Sequence, residues 1–273
     1  MNARAMFAIA RKDLKVVSQN KNVLIPIIII MVVFFVVIPW LGALVPTVIN
    51  VAGEKMNGIE EMLARMPAGM QQEFTGYSLS QKITVMFLVY MMLPLFMLLP
   101  VMVASLFAAD SFAGEKERKT LEALLYTPTS DRELLIAKLL SGWLAAIAVG
   151  LGGFVLYAIN VNAAAWSQMR HIFFPNAMWL VLIIWVIPAL SGLGVAMIVL
   201  VSARAQGFQD ANQFGGIAVL PIVALFYAQV AGAMFFNTAI VFLMGLIVWL
   251  LTGLLIWLGS RSFRRNRLFT MTS

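Results

Sequence analysis

The chain has 273 residues, of which 62% are hydrophobic and only 11% charged, and its formal net charge is +7. A soluble domain carries about 25% charged residues, so this composition excludes a soluble globular enzyme and a disordered chain and favours an all-α, polytopic membrane protein. The complete absence of cysteine excludes disulfide and thiolate chemistry, and in a membrane protein the excess of positive charge is typical of cytoplasmic loops rather than of nucleic-acid binding.

Residues 1–22 have the pattern of an amphipathic helix. Apolar side chains fall broadly on one helical face, and the basic residues Arg11, Lys12 and Lys15 lie towards the other. A basic amphipathic helix of this kind lies in the plane of the lipid headgroups. The sequence therefore predicts an interfacial helix, although a positively charged flank that only sets topology is equally consistent with the pattern.

Long segments without charged residues predict six membrane-spanning helices, because a helix needs about 20 apolar residues to cross a bilayer. Together they make a transmembrane domain over residues 23–258, followed by a basic tail, 259–273. The predicted spans are Val23–Val45, Ile83–Phe107, Leu139–Ile159, Ala177–Val201, Phe214–Phe235 and Ala239–Leu258. The last two are separated only by residues 236–238, which leave room for a tight or re-entrant turn.

The loop 46–81 is the only long segment on its side of the predicted membrane domain. Its apolar residues Ile59, Met62, Leu63 and Met66 repeat with helical spacing. The pattern predicts a short amphipathic helix that ends at Pro67. Such a helix either rests on the membrane surface or covers an outer cavity as a lid.

The loop 108–138 is rich in charge and contains a short apolar ridge of Leu121, Leu124 and Leu125. Pro128 ends this helical stretch, because the residue before a proline is biased away from the helical conformation. Ser130 and Glu133 then form a capping box for the next helix. A short projecting helix with an apolar face fits the groove of a soluble partner, whereas a solvated charged loop would leave the ridge unexplained.

The distribution of Lys and Arg predicts the orientation. One side of the membrane, which includes both termini and the loops 108–138 and 202–213, carries 15 of these residues, and the opposite side carries four. Because cytoplasmic segments are enriched in Lys and Arg, both termini are predicted to be cytoplasmic.

The sequence contains no pattern for chemistry of its own. The predicted spans carry no charged residue, so proton relays and acidic cation sites have nothing to use. The run Gly114 to Thr120 lacks the glycine that a phosphate-binding loop places directly before its Lys-Thr, since that position is Arg118. His171 has no partner nearby in the sequence for a metal site. We therefore predict no catalytic residue, no cofactor and no metal in this chain.

Three segments resemble the ATP-binding-cassette (ABC) type-2 permease family. They are the run from Glu115 to Lys138, the Arg11-Lys12-Asp13-Leu14 segment, and the segment from Val201 to Gln213 with Pro221 beyond it. The resemblance implies that the loop docks onto a cytoplasmic ATPase, and the implied coupling residues are Glu115, Glu117, Thr120, Leu121, Glu122, Leu124, Leu125, Thr127, Pro128 and Ser130. Arg118 and Lys119 depart from the family pattern, which often has glycine just before the threonine.

The resemblance also implies the assembly and its energy source. The family works as two permease subunits, in a homodimer or heterodimer, joined to two ATP-binding subunits that use ATP and magnesium. It usually exports its substrate from the cell. Within the loop we expect the three leucines to enter the ATPase groove, and Glu115, Glu117 and Glu122 to make contacts at its rim.

The leading hypothesis is therefore the permease subunit of an exporter in a prokaryotic cytoplasmic membrane. Spans without charge favour an apolar or amphiphilic substrate, because stripping water from an ion without compensating ligands is costly. Two alternatives remain. A membrane anchor or sensor that recruits a cytosolic ATPase would keep the docking loop without transport, and a secondary transporter would need intramembrane charges or an inverted repeat.

Overall fold

The computed structural model describes residues 3–52, 64–117, 131–202 and 207–262, and within these ranges the chain is helical with no strand. Six helices are long and apolar enough to cross a membrane, which confirms the predicted number. We call them spans 1 to 6: Leu24–Val48, Leu79–Gly114, Glu133–Ala164, Ala177–Val201, Phe208–Val230 and Thr238–Gly259. Six crossings return both ends of the chain to one side, which we call the terminal side.

Spans 2 and 4 form the centre of the bundle. About 72% of the most apolar stretch of span 2 and 67% of that of span 4 is buried, against 17% for spans 1 and 6. Span 4 packs against spans 2, 3 and 6, and span 2 also packs against spans 3 and 5. The outward-facing side chains of the peripheral spans are mostly large and apolar, as lipid contact requires.

Of the four π-helical turns in the described residues, three interrupt the spans a few residues before a proline. They are Val33–Val37 before Pro39, Met86–Met91 before Pro94, and Leu182–Val186 before Pro188. A proline cannot donate the usual backbone hydrogen bond, and its ring crowds the carbonyl of the preceding turn. The extra residue of a π-turn relieves that crowding, so these prolines shape the spans without breaking them.

Spans 1, 2, 4 and 5 each combine several helical segments, whereas spans 3 and 6 each lie within a single helix. Span 1 lies within Lys21–Val32, Val33–Val37 and Ile38–Ala52, and span 2 within Leu79–Val85, Met86–Met91, Met92–Ala109 and Asp110–Gly114, followed by Glu115–Glu117. Span 3 lies within Asp131–Ala164 and is followed by a short helix, Trp166–Met169. Span 4 lies within Ala177–Val181, Leu182–Val186 and Ile187–Ser202, and span 5 within Phe208–Gly215, Gly216–Val219 and Leu220–Val230. Span 6 lies within Thr238–Ser262.

The turn between spans 5 and 6 is longer than predicted. Span 5 ends at Val230 rather than at Phe235, and Gly232 adopts a positive φ of 69° in the turn that follows. Asn237, inside the predicted break, accepts a hydrogen bond from the Ile240 backbone amide at 2.9 Å and so caps the last helix. The prediction missed the early end because residues 231–235 are as apolar as a span.

The amino-terminal helix, Ala3–Gln19, packs along span 3. Ala10, Asp13 and Val17 face inward and are buried, whereas Arg11, Lys12 and Lys15 lie on the exposed side. The buried face therefore includes one carboxylate among apolar groups. The placement of this helix in the plane of the lipid headgroups stays a prediction.

On the side opposite the termini, a short helix Ala68–Glu73 packs over the end of the bundle. Met66, Met70 and Phe74 are buried in the main apolar core, and Glu73 accepts a 2.5 Å hydrogen bond from the Tyr90 hydroxyl. Most of the amphipathic helix predicted over residues 59–66 lies outside the described residues. The segment after Pro67 starts a new helix, which the sequence analysis did not predict.

Candidate coupling site on the terminal side

The predicted coupling residues fall into two groups. Glu115 and Glu117, at the end of span 2, are described. Thr120, Leu121, Glu122, Leu124, Leu125, Thr127, Pro128 and Ser130 lie outside the described residues, and their role stays a prediction. The helix of span 3 begins at Asp131, the residue after the predicted capping serine.

Glu115 lies inside the protein rather than on an exposed rim. It is 5% exposed. Its Oε1 accepts a hydrogen bond from Lys12 Nζ at 2.5 Å, and its Oε2 accepts one from Lys138 Nζ at 2.6 Å. With both oxygens engaged by lysines, this carboxylate has little surface for a partner protein.

Lys138 is the most deeply buried charged side chain of the described residues, with no exposed surface. Besides Glu115, its Nζ donates to the Ser111 carbonyl oxygen at 2.6 Å and to Ser111 Oγ at 3.1 Å. It also lies 3.6 Å from Asp13 Oδ2 and 5.4 Å from the centre of the Phe112 ring. These contacts join span 3 to span 2 and to the amino-terminal helix.

Asp13 brings the amino-terminal helix into the same cluster. It is 3% exposed, and its Oδ2 accepts a 2.8 Å hydrogen bond from Ser111 Oγ. Its Oδ1 lies 3.2 Å from Lys12 Nζ. We refer to the four side chains Lys12, Asp13, Glu115 and Lys138 as the buried ion cluster. It contains two positive and two negative groups from three helices, so its formal charges balance.

Lys12 is the member of the cluster that reaches solvent, since 44% of its side chain is exposed. Partial burial lowers the pKa of Lys12, but the hydrogen bond and charge of Glu115, together with Asp13, outweigh that effect. The pKa therefore lies above the ordinary value of 10.5. Lys12 is therefore charged at every physiological pH.

Two buried charged residues correct the expectation that the spans carry no charge. In the structure spans 2 and 3 extend past their predicted ends to include Asp110, which is 2% exposed, and Lys138. Asp110 Oδ1 lies 3.4 Å from Asn20 Nδ2. The predicted spans were kept within segments that lack charged residues, whereas a helix continues past a charged residue whose charge is paired inside the protein.

Sequence reasoning assigned no role to Lys138 or Asp13, although a signal for Lys138 was present. It is the last charged residue of an apolar helix that continues to Ala164, and a charged residue inside a span is a functional candidate by default. The pairing itself has no local signal, because Lys12 and Glu115 are 103 residues apart in sequence.

Glu117 links the end of span 2 to span 5. Its Oε2 accepts a 3.0 Å hydrogen bond from the backbone amide of Phe208, the first residue of the span 5 helix. A side-chain acceptor at that position caps a helix N-terminus. A Cβ added at Gly207 would lie 2.7 Å from the same oxygen, so glycine allows this close approach.

A groove of about 330 Å³ opens on the terminal half of the bundle between spans 1, 2 and 5. Its walls are mainly apolar, with Ile30, Met102 and Leu106 among them, and its polar lining includes Ser105 and Asn212. Ser105 is 2% exposed, and its hydroxyl has no hydrogen-bond partner among the described residues. The groove thus combines an apolar wall with an unsatisfied polar group, which suits an amphiphilic ligand.

The model of a family described as ABC-2 family transporter protein matches residues 7–268, almost the whole chain. The chain is also similar to the ABC transporter permease protein NatB of Bacillus subtilis (strain 168), with 32% identity over 129 residues. That alignment covers 44% of this chain and 32% of the length of NatB.

Proposed function

Because this chain belongs to the ABC-2 transporter family, it is a multi-pass membrane permease subunit, and we propose that it exports an apolar or amphiphilic substrate. A separate cytoplasmic subunit hydrolyses ATP with magnesium and so supplies the energy. The family match over residues 7–268 carries the assignment. The family implies the ATP-binding partner, and we propose two copies of it around two permease subunits.

The distribution of basic residues supports the orientation in this proposal. With 15 Lys and Arg residues on the terminal side and four on the opposite side, the terminal side is the cytoplasmic side. The segment 118–130 then faces the cytoplasm, where an ATPase is available. Its leucine ridge enters the ATPase groove, and Pro128 with Ser130 sets the angle between that ridge and span 3.

The groove between spans 1, 2 and 5 supports the proposed substrate class. Its apolar wall accepts an alkyl or aromatic portion, and Ser105 and Asn212 offer hydrogen bonds to a polar end. An amphiphile therefore fits this surface better than a bare ion.

The test is ATP-driven uptake into inside-out vesicles that contain the complex of this chain with its ATPase. The probes are rhodamine 6G, as a fluorescent amphiphile, and radioactive sodium. The proposal predicts magnesium- and ATP-dependent accumulation of the dye, which vanadate abolishes. Robust ATP-driven sodium uptake without dye uptake would refute the substrate class. No flux of any probe in vesicles with an active, bound ATPase would favour the anchor hypothesis instead.

A further inference from the structure

The buried ion cluster closes the base of the predicted coupling loop. Glu115 stands at the end of span 2 and Lys138 near the start of span 3, so the 2.6 Å bond between them joins the two ends of the intervening segment. We propose that the cluster holds both ends of this loop and the amino-terminal helix as one rigid unit, with Lys138 as its central positioning residue. This inference rests on the proposed function, because the unit would transmit movement of the ATPase to the spans.

The geometry around Lys138 supports a fixed position. Its ammonium group donates to three oxygen atoms, two of them from Ser111 and one from Glu115, at 2.6 to 3.1 Å. An ammonium group has three hydrogens to donate, so its capacity is filled. A residue with no exposed surface and three directional bonds to span 2 sets the separation of spans 2 and 3 at this level.

The amino-terminal helix joins the unit through a second set of bonds. Asp13 accepts from Ser111 Oγ, and Lys12 donates to the second oxygen of Glu115. The helix thus contacts span 2 through two oppositely charged side chains that are adjacent in sequence. A movement of the loop base that shifted Glu115 would have to carry this helix with it or break both contacts.

The end of span 2, where the predicted coupling loop begins, also contacts the groove between spans 1, 2 and 5. Glu117, two residues beyond Glu115, accepts a hydrogen bond from the Phe208 amide, and Phe208 lines the groove between spans 1, 2 and 5. The backbone of residues 115–117 therefore connects the bond between Lys138 and Glu115 to the contact of Glu117 with the wall of the proposed substrate site. Through this connection, movement of the rigid unit would change the shape of the groove.

Stability alone explains the cluster poorly. A buried ion pair adds little net stability, because desolvating the charges offsets their attraction, and apolar replacements are often as stable. Directional bonds, by contrast, fix one arrangement of the helices, which a coupling device needs. A role in stability and a role in positioning predict different results when one positive and one negative member of the cluster are removed together. Only the positioning role predicts that the arrangement of the helices becomes less well defined.

The first experiment measures the unit itself in the full-length chain. Spin labels are attached to cysteines introduced at Val16 and Leu144, which are 41% and 46% exposed on the amino-terminal helix and span 3. The chain has no native cysteine to interfere. We expect a narrow distance distribution between the labels, and a clearly broader one when Glu115→Gln and Lys138→Met are combined. Lys21→Met, which removes an exposed charge outside the cluster, should leave the distribution narrow.

Lys138→Met alone leaves two buried carboxylates with one lysine, so it should reduce the yield of folded protein. The double variant removes one charge of each sign and should restore that yield, which keeps the test interpretable. If the double variant gives a distribution as narrow as that of the parent, or if the parent distribution is itself broad, the rigid unit does not exist.

The second experiment measures coupling in the purified complex with its ATPase. The double variant should retain the ATPase and hydrolyse ATP, while rhodamine 6G transported per ATP falls about tenfold, within the range that changes along a coupling network produce. Unchanged transport per ATP would overturn the positioning role. If the parent complex neither binds an ATPase nor transports, the proposed function fails, whereas the spin-label result stands on its own.

Discussion

Filling the groove between spans 1, 2 and 5 tests whether it is the substrate site. Gly216 lines this groove, and a Cβ placed on it meets no atom within 4 Å. Gly216→Leu therefore adds four carbon atoms at a position that lines a space of about 330 Å³, and the first of them meets no neighbouring atom. The neighbouring Gly215 is unsuitable, because its Cβ would lie 2.8 Å from the Cβ of Ser105.

The expected size of the effect follows from the volume taken. A drug-sized ligand gains about 0.3 kcal/mol per non-hydrogen atom, so excluding four ligand atoms costs about 1.2 kcal/mol. That cost weakens binding about sevenfold, since 1.4 kcal/mol corresponds to tenfold. Because the change touches neither the predicted coupling loop nor the buried ion cluster, ATPase binding should stay at the parental level.

The assay is the concentration dependence of ATP-driven rhodamine 6G uptake, with hydrolysis measured on the same vesicles. Gly253→Leu is the matched control, because a Cβ at Gly253 also meets no atom within 4 Å but lies on span 6 outside the groove. We expect a raised half-saturating concentration for the first variant only. Equal uptake by both variants and the parent would show that the substrate does not use this groove.

Three further predictions concern orientation, docking and charge. A cysteine at Gln72 should react with an impermeant thiol reagent from outside intact cells and a cysteine at Lys119 should not; the reverse labelling would overturn the orientation. Combining Leu124→Ala with Leu125→Ala should release the ATPase or uncouple it, since truncating a buried anchor costs about 2 kcal/mol or more, and parental copurification and transport would exclude the loop as the coupling element. The pKa of Lys12 is raised in the folded protein, so its contribution to stability is fully present below pH 10.5 and is lost as the pH rises through the higher folded-state pKa. The difference in melting temperature between the parent and Lys12→Met should therefore be constant around neutral pH and shrink only in strong alkali. Loss of this difference near pH 7 would contradict the assigned pairing.

The spans were predictable because crossing a membrane requires a continuous apolar segment, which can be recognised along the sequence alone. Length and the absence of charge identified all six, and span 4 has the predicted bounds, Ala177–Val201. The helices of spans 2 and 3 continue beyond the ends that this rule predicts. A charged residue ends a span only if its charge needs water, and Asp110 and Lys138 have protein partners instead.

The arrangement around the predicted loop was only partly predictable. A local pattern suggested a short projecting helix, and family resemblance suggested its role. The inward turn of Glu115 depends on Lys12 and Lys138, which lie 103 and 23 residues away in sequence. No periodicity or motif encodes a contact between such distant residues, so the sequence analysis treated Glu115 as part of an exposed rim.

If a separate ATPase powers this chain, the two proteins form a complex, and the composition of that complex is the most direct measurement. The tagged full-length chain is extracted from the membrane and analysed by native mass spectrometry with magnesium and ATP. We expect a complex in which an ATP-binding subunit is present in the same number of copies as this chain. Purification of the folded chain without any ATP-binding subunit, under conditions that preserve other membrane complexes, would contradict it.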